Sequence, residues 1–247
     1  MIAVAGGKGG SGKTTTTLGL ARALSRRGAP VVAADADWDL PNLARLAAET
    51  RPEGPTENAE APTESGAEGP SVGAGCRADG AAARTVLDAV RGTEPVRPGR
   101  SAPTVLAAPD SSRSVDAGAT FDALDAMTPE GAPVLLDSPA GASPDVAAPL
   151  RAADRALIAT PLRRAALRDA AKTAAIARRL DCPPVGAVVI GETSVPDRVA
   201  TLLGCPVLGA IPDGGGAPLS DPGVRRAYDG LASRLAETAA ASRWQIA

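Results

Sequence analysis

Histidine is absent from this chain of 247 residues, and lysine, cysteine and aromatic residues are all scarce. Without histidine, the chain has no imidazole to act as a general base or to ligate zinc. The three cysteines form no C-x-x-C pair and no even disulfide framework, so Cys76, Cys182 and Cys205 are predicted to be reduced thiols of a cytoplasmic protein. No apolar run is long enough to cross a bilayer, and no basic segment precedes the first run as in a signal peptide.

One stretch, at residues 50–82, differs from the rest in composition. It is rich in proline, glycine and glutamate, and residues 49–79 carry a net charge of −5, which leaves +3 for the remainder. Such a segment has too few apolar groups to bury, so we expect a flexible acidic insertion. A tolerated surface loop is one interpretation, and a partner-binding or solubilising segment is the other.

Outside the insertion, short apolar runs alternate with segments of helical periodicity. Strands are predicted at residues 2–5, 30–34, 104–107, 133–137, 155–160, 185–190 and 206–211, and helices at 14–27, 83–91, 166–180 and 223–237 among others. The strands are nearly continuous apolar runs, which is typical of a sheet covered on both faces. Repeated strand–helix–strand order predicts an α/β fold, with a three-layer, mostly parallel sheet and helices on both faces. No internal repeat is present, so residues 1–247 are interpreted as one domain.

A glycine-rich stretch, GGKGGSGKTTTT at residues 6–17, holds two of the three lysines, whereas 23 of the 26 basic residues are arginine. The stretch satisfies the P-loop pattern G-x-x-x-x-G-K-[ST] between a predicted strand and a predicted helix. Its glycines let successive N–H groups point inward at phosphate, Lys13 reaches the β- and γ-phosphates, and the Thr14 hydroxyl binds Mg²⁺. The predicted nucleotide-binding residues are Gly7, Lys8, Gly9, Gly10, Ser11, Gly12, Lys13, Thr14 and Thr15.

Carboxylates follow two of the predicted strands. Asp137 ends the strand at 133–137, where open α/β sheets place their ligands, so it is predicted to hold Mg²⁺ directly or through water. Asp35 and Asp37 project from the same side if their strand persists. A cap for the local loop is an alternative interpretation of Asp35, and a helix N-cap is an alternative interpretation of Asn42.

Several motifs resemble one protein family. KGGSGKT at 8–14 resembles the deviant Walker A motif of the MinD/ParA ATPases. DADWDLPNL at 35–43 is similar to the switch I segment of that family, and VLLDSPAG at 134–141 is similar to its Walker B and switch II segment in the MinD form. TPLRRAALRDA at 160–170 and PVLGAIPD at 206–213 are similar to later segments of MinD-like proteins, archaeal ones among them. The resemblance covers nearly the whole chain except the insertion.

The resemblance implies a P-loop NTPase fold of the MinD/ParA type, with ATP and Mg²⁺ as ligands. It implies that Lys8 crosses a dimer interface to the nucleotide of the partner, and that Lys8, Lys13 and Asp37 form the catalytic set, with Asp37 orienting the attacking water. It also implies that Asp35 lies near the metal and that Asp169 holds Lys8 when nucleotide is absent. The implied switch and interface residues are Asn42, Arg168 and Asp169, and the loop near the base contributes Pro212. From the residues alone, a solvated helix face is an equal interpretation of the Arg-Asp pair at 168–169.

Two departures from the family pattern limit this resemblance. Leu162 stands where the family usually has glutamate, which removes one polar contact expected at the dimer interface. GETSVP at 191–196 stands where an Asn-Arg pair often lies near the base. No side chain is therefore assigned to base recognition, and adenine is implied by the resemblance alone.

The C-terminal region bears on membrane and DNA binding. Residues 224–235 carry an apolar stripe at helical spacing, which predicts core packing. The tail that follows combines one arginine with Trp244 and Ile246, which is too little for autonomous membrane binding. Arginine pairs at 163–164, 178–179 and 225–226 are too few, in a body of charge +3, to favour non-specific DNA binding.

Three classes of function fit these residues. The first is an ATP-hydrolysing dimerisation switch, which forms an ATP-dependent homodimer and hydrolyses ATP slowly. Such a switch responds to an unknown activating protein and positions a cellular assembly such as a division site, chromosome, plasmid or surface machinery. The second is an iron–sulfur carrier, which needs cysteines placed to bridge a cluster between subunits. The third is a regulatory module that binds nucleotide without hydrolysing it.

Overall fold

The structure, a computed structural model, describes residues 1–7, 9–50, 83–92, 95–99, 101–110, 115–141 and 144–241. The predictions made for Lys8, for residues 51–82 of the insertion and for the tail after residue 241 lie outside these ranges. Among the described residues, no helix is both long enough and apolar enough to cross a membrane.

Seven strands and eight α-helices make up the described part of the chain. The strands are β1 (Ile2–Ala5), β2 (Val32–Asp35), β3 (Thr104–Leu106), β4 (Val134–Asp137), β5 (Arg155–Pro161), β6 (Pro184–Ile190) and β7 (Val207–Ile211). The helices are α1 (Lys13–Arg26), α2 (Leu43–Glu49), α3 (Val86–Arg91), α4 (Ala117–Met127), α5 (Pro144–Ala152), α6 (Arg164–Arg179), α7 (Arg198–Leu203) and α8 (Pro222–Ala241), with a 3₁₀ turn at Pro218–Ser220 before α8.

The strands form one sheet in the order β3-β2-β4-β1-β5-β6-β7, and every pairing between them is parallel. This arrangement confirms the predicted α/β fold. Neighbouring strands end at matched positions, because Asp137 lies opposite both Val4 on β1 and Asp35 on β2. The carboxyl ends of β1, β2 and β4 therefore meet at one edge of the sheet, which is where such folds bind ligands.

Each face of the sheet carries its own apolar core. Helices α1, α2 and α8 cover one face together with Ile2, Val4 and Ala33. Helices α3 to α7 cover the other face together with Ala3 and Ala5. The two sets alternate along β1 because successive strand residues point to opposite faces. The three-layer architecture thus follows from strands that are apolar on both sides.

Element ends follow local capping. The helix predicted at 83–91 begins at Val86, because the side chains of Thr85 and Asp88 form a reciprocal capping box there. The C-terminal stripe packs in the core as predicted, with Val224, Tyr228 and Leu231 buried. Tyr228 lies so close to α1 that its ring occupies the space a Cβ atom at Gly19 would need.

Candidate functional site

The glycine loop joins β1 to α1 as predicted. Gly10 and Gly12 have φ angles of 75° and 81°, which side chains with a Cβ atom rarely adopt. Gly12 is the N-cap of α1, and it has no side chain to accept a hydrogen bond from the first turn of the helix. The N–H groups of the first turn of α1 and the helix dipole together favour an anion at this position. The described loop residues therefore fit a phosphate.

Lys13 opens α1 with a buried side chain that is 7% exposed. Burial lowers the pKa of Lys13, and the nearby carboxylates of Asp137 and Asp37 act in the opposite direction. An ammonium group removed from water in this way is stabilised by anionic neighbours. Phosphate oxygens between the loop and these carboxylates would supply that stabilisation directly.

Asp137 lies at the end of β4 and is fully buried. Burial raises its pKa to about 7, whereas a hydrogen bond from the Thr14 side chain and the charge of Lys13 act to lower it. The hydroxyl of Thr17 is 3.0 Å from the Lys13 carbonyl and 3.4 Å from Asp137 Oδ1. Two hydroxyls and a carboxylate at one point are the hard oxygen ligands that Mg²⁺ prefers. The predicted metal residues Thr14 and Asp137 are therefore together.

Asp35 organises the loop that follows β2. Its Oδ1 accepts the Asp37 N–H at 3.0 Å, and its Oδ2 accepts the N–H groups of Asn42 and Leu43, both at 3.0 Å. Burial raises the pKa of Asp35 to about 6 in spite of these three bonds. Because both oxygens are engaged by backbone, the structure favours the loop-capping interpretation of Asp35 over a metal ligand.

The same contacts explain why the side chain of Asn42 does not cap α2. It occupies the N-cap position of α2, but its side chain caps nothing. Its Nδ2 donates to the Leu40 carbonyl at 2.9 Å, and its Oδ1 accepts from Arg45 at 3.0 Å. The carboxylate of Asp35 caps the helix in its place, so the N-cap interpretation holds for the position and not for the side chain.

Asp37 lies near the two charged residues of the site, Lys13 and Asp137. It is half-buried, it contributes to the electrostatic environment of both Lys13 and Asp137, and its Oδ1 accepts the Leu40 N–H at 3.2 Å. Its second oxygen is not used by that turn. A carboxylate in this position can orient a water molecule toward a phosphate held at Lys13.

Asp169 lies on α6 directly against the glycine loop. A Cβ atom built at Gly7 would be 2.2 Å from the Cβ of Asp169, so only glycine allows this approach. Lys172 Nζ is 3.7 Å from Asp169 Oδ1. Arg168 is exposed beside it, and Pro212 directly follows β7. This contact places Asp169 beside Gly7, the residue immediately before Lys8 in the chain.

Two residues at this edge were not singled out by the sequence. Thr17 reaches Asp137 from one turn beyond the motif, and only the run of four threonines could have drawn attention to it. The Ser138 hydroxyl is fully buried and has no hydrogen-bond partner among the described residues. A buried polar group of this kind is suited to a water molecule or a ligand atom.

Comparisons with known proteins agree with this geometry. Residues 2–214 match the model of the CobQ/CobB/MinD/ParA nucleotide binding domain. Among solved structures, MinD from Pyrococcus horikoshii OT3 complexed with Mg-ADP superposes with a TM-score of 0.71 at 18% identity, over 96% of each chain. The cell division ATPase MinD of Pyrococcus furiosus gives 0.69 at 20% identity, over 96% of this chain and 98% of that one. At these identities the superpositions show the fold alone.

A curated sequence match is short. The septum site-determining protein MinD of Synechocystis is 58% identical over 43 residues, which span 17% of this chain and 16% of that protein. The likeness is therefore local in sequence, whereas the family match spans most of the chain.

Proposed function

This chain belongs to the CobQ/CobB/MinD/ParA family of nucleotide-binding domains, and we propose that it is an ATP-hydrolysing dimerisation switch that positions a cellular assembly. The observation that carries the proposal is the meeting of Lys13, Thr14, Asp37 and Asp137 at the carboxyl edge of the sheet. Phosphoryl transfer depends mainly on positioning and charge neutralisation, and these four residues provide both.

Each residue has a defined part in hydrolysis. Lys13 and the N–H groups at the start of α1 hold the phosphates of ATP. Thr14 and Asp137 would hold Mg²⁺, which neutralises phosphate charge when bound. Asp37 orients a water molecule whose oxygen bonds to the γ-phosphorus as the bond to the β–γ bridging oxygen breaks, and ADP and phosphate leave.

Dimerisation is proposed to involve Lys8 and Asp169. Asp169 lies against Gly7, and Lys8 is the next residue in the loop. A lysine at this position, in a chain where 23 of the 26 basic residues are arginine, suits a narrow glycine-walled slot better than a guanidinium group would. In the proposed switch, Asp169 retains Lys8 in the free monomer, and Lys8 reaches the phosphates of a second copy when ATP is bound.

Two alternatives have less support. An iron–sulfur cluster bridged between subunits needs exposed thiols, but the two cysteines among the described residues, Cys182 and Cys205, are buried, and burial raises the pKa of Cys182 to about 12. A module that binds nucleotide without hydrolysis would not need Asp37 to face Lys13 and Asp137. The activating partner and the cytoplasmic location remain predictions from the sequence.

Light scattering tests the proposal on variants that hydrolyse slowly. Asp37→Ala protein should be monomeric with ADP and dimeric with ATP and Mg²⁺. Adding Lys8→Ala, or Lys8→Arg, should abolish the dimer while calorimetry still detects ATP binding through Lys13. Lys13→Ala should weaken ATP binding by about 100-fold or more, because a charged contact to phosphate is lost.

Lys172→Ala is the matched control for ATP binding, because this lysine is exposed and lies outside the loop. Its affinity for ATP should equal that of the wild type. A Lys13→Ala protein with wild-type affinity would refute the nucleotide site. A double variant of Asp37 and Lys8 that dimerises as well as Asp37→Ala would refute the trans-acting lysine.

A further inference from the structure

Aromatic residues are scarce in this chain, yet two of its four lie against each other beside the candidate site. The ring centroids of Trp38 and Phe121 are 5.6 Å apart, with an interplanar angle of 55°. This is a favourable tilted geometry for an aromatic pair. Phe121 is fully buried on α4, and Trp38 is half-buried in the loop after β2. The pair therefore packs that loop onto α4.

The pair also sets which way the loop faces. Val32, Ala34 and Ala36 point into the core on the α4 side of the sheet, and Trp38 packs against the same core. Ala33 points into the opposite core. The alternation of a strand thus continues past the end of β2. With Trp38 on the α4 side, its neighbour Asp37 is directed to the other side, toward Lys13 and Asp137.

A hydrogen bond fixes the indole ring within its own loop. Trp38 Nε1 donates to the Asp35 carbonyl at 3.0 Å, while the Asp35 carboxylate accepts N–H groups from Asp37 and Leu43. The segment 35–43 is thus closed by backbone contacts to Asp35 and fastened to α4 by the Trp38 ring. Asp37 lies between these two attachments.

We propose that Trp38 is the positioning residue for Asp37, and that packing on Phe121 holds the Asp37 carboxylate in its orientation toward the phosphates. The inference rests on the proposed function, in which Asp37 orients the attacking water. Adjacent Cα atoms are only about 3.8 Å apart, so displacement of Trp38 displaces Asp37. A shift of about 1 Å at a reacting group can lower the rate by roughly 100-fold.

Steady-state hydrolysis and ATP binding together test this role. Trp38→Ala should lower kcat by about 10- to 100-fold while the Kd for ATP stays within about threefold, because the phosphate-binding residues are untouched. Trp38→Phe should recover most of the rate, because a phenyl ring still packs on Phe121 and only the indole N–H is lost. Phe121→Leu should reproduce part of the defect. An unchanged kcat in Trp38→Ala, or equal losses in kcat and ATP affinity, would overturn the proposal.

Hydrogen exchange on metal-free protein gives a readout that does not require hydrolysis. The amide protons of Asp37, Asn42 and Leu43 should exchange about tenfold faster in Trp38→Ala than in the wild type. Leu40→Ala is the matched control, because this apolar side chain lies in the same loop but is 73% exposed, so exchange should not change. If wild-type protein hydrolyses no ATP, the proposed function fails, and this measurement still decides whether Trp38 holds the loop. Equal exchange in wild type and Trp38→Ala refutes it.

Discussion

At the scale of single residues, the candidate site combines buried carboxylates with one buried ammonium group. Asp35 and Asp137 are each 1% exposed. Burial raises the pKa of Asp35 to about 6 and that of Asp137 to about 7, and it lowers the pKa of Lys13. A bound cation favours an ionised carboxylate, and phosphate favours a charged lysine. A cation bound at Asp137 would therefore lower the pKa of that carboxyl, and a bound phosphate would raise the pKa of Lys13.

A pH dependence follows from the Asp137 carboxyl. Its pKa is about 7 when folded, against an unfolded value of about 3.9. Between these values the folded state binds more protons than the unfolded state, so the free energy of unfolding falls as pH rises, and this contribution is lost above pH 7. In EDTA, without nucleotide, wild-type protein should lose on the order of 3 kcal/mol relative to Asp137→Asn between pH 4 and pH 8. Urea unfolding at several pH values measures this, and parallel curves for the two proteins would contradict it.

Sequence predicts most directly the residues whose role is local. Lys13 and Thr14 belong to one loop whose spacing alone defines a phosphate site. Asp35 was open to two interpretations, a cap for its loop or a residue near the metal, and its bonds to the backbone of Asn42 and Leu43 favour the cap. Trp38 was missed, because its partner Phe121 is far away in sequence.

Among the elements, the packing of α8 on α1 determines how firmly the phosphate loop is supported. Gly19 on α1 lies against the Tyr228 ring, and a Cβ atom there would be 2.4 Å from a ring carbon. The Tyr228 hydroxyl is 3.5 Å from Thr16 Oγ1, two residues beyond Thr14. Burial raises the pKa of Tyr228 to about 12, so the hydroxyl stays neutral at this contact.

A pair of glycine substitutions tests this packing. Gly19→Ala should lower the free energy of unfolding by about 1–3 kcal/mol, because the added methyl group forces Tyr228 or α8 to move. Gly230→Ala on α8 has nothing within 4 Å of its new Cβ atom, so it should raise stability by up to about 1 kcal/mol through helix propensity. Thermal unfolding of both variants decides the matter. A Gly19→Ala protein as stable as Gly230→Ala would show that α1 and α8 separate easily.

Prediction of elements succeeded where hydrophobic periodicity was long or continuous. All seven strands were predicted, and their observed bounds differ from the predicted ones by at most two residues. Four helices, α2, α4, α5 and α7, were not named. Of these, α2 and α7 have only seven and six residues, too few to show a helical period, whereas α4 and α5 have 11 and nine. The start of α2 is set instead by the distant carboxylate of Asp35.

At the scale of the whole molecule, the sequence predicted layers but not the order of strands. Apolar strands and intervening helices imply a covered parallel sheet, yet they do not determine that β1 lies between β4 and β5. That order brings Asp137 beside both β1 and β2, and so assembles the site from segments that are far apart in sequence. The site is consequently a property of the complete sheet.

The acidic insertion gives the last prediction, because the elements on either side of it have their own attachments. Helix α2 is capped by Asp35, and Thr50 at its end bonds back to the Leu46 carbonyl. Helix α3 has its own capping box, and Thr85 pairs with Ala107 beside β3.

Replacing residues 52–79 with a linker of about ten Gly and Ser residues should therefore leave the melting temperature and basal hydrolysis unchanged, since loop closure depends weakly on length. A second variant, with the glutamates between 53 and 68 changed to glutamine, keeps the length and removes the charge. Thermal unfolding and phosphate release should match the wild type in both variants, and a large fall in melting temperature in the linker variant alone would show that the segment packs on the domain.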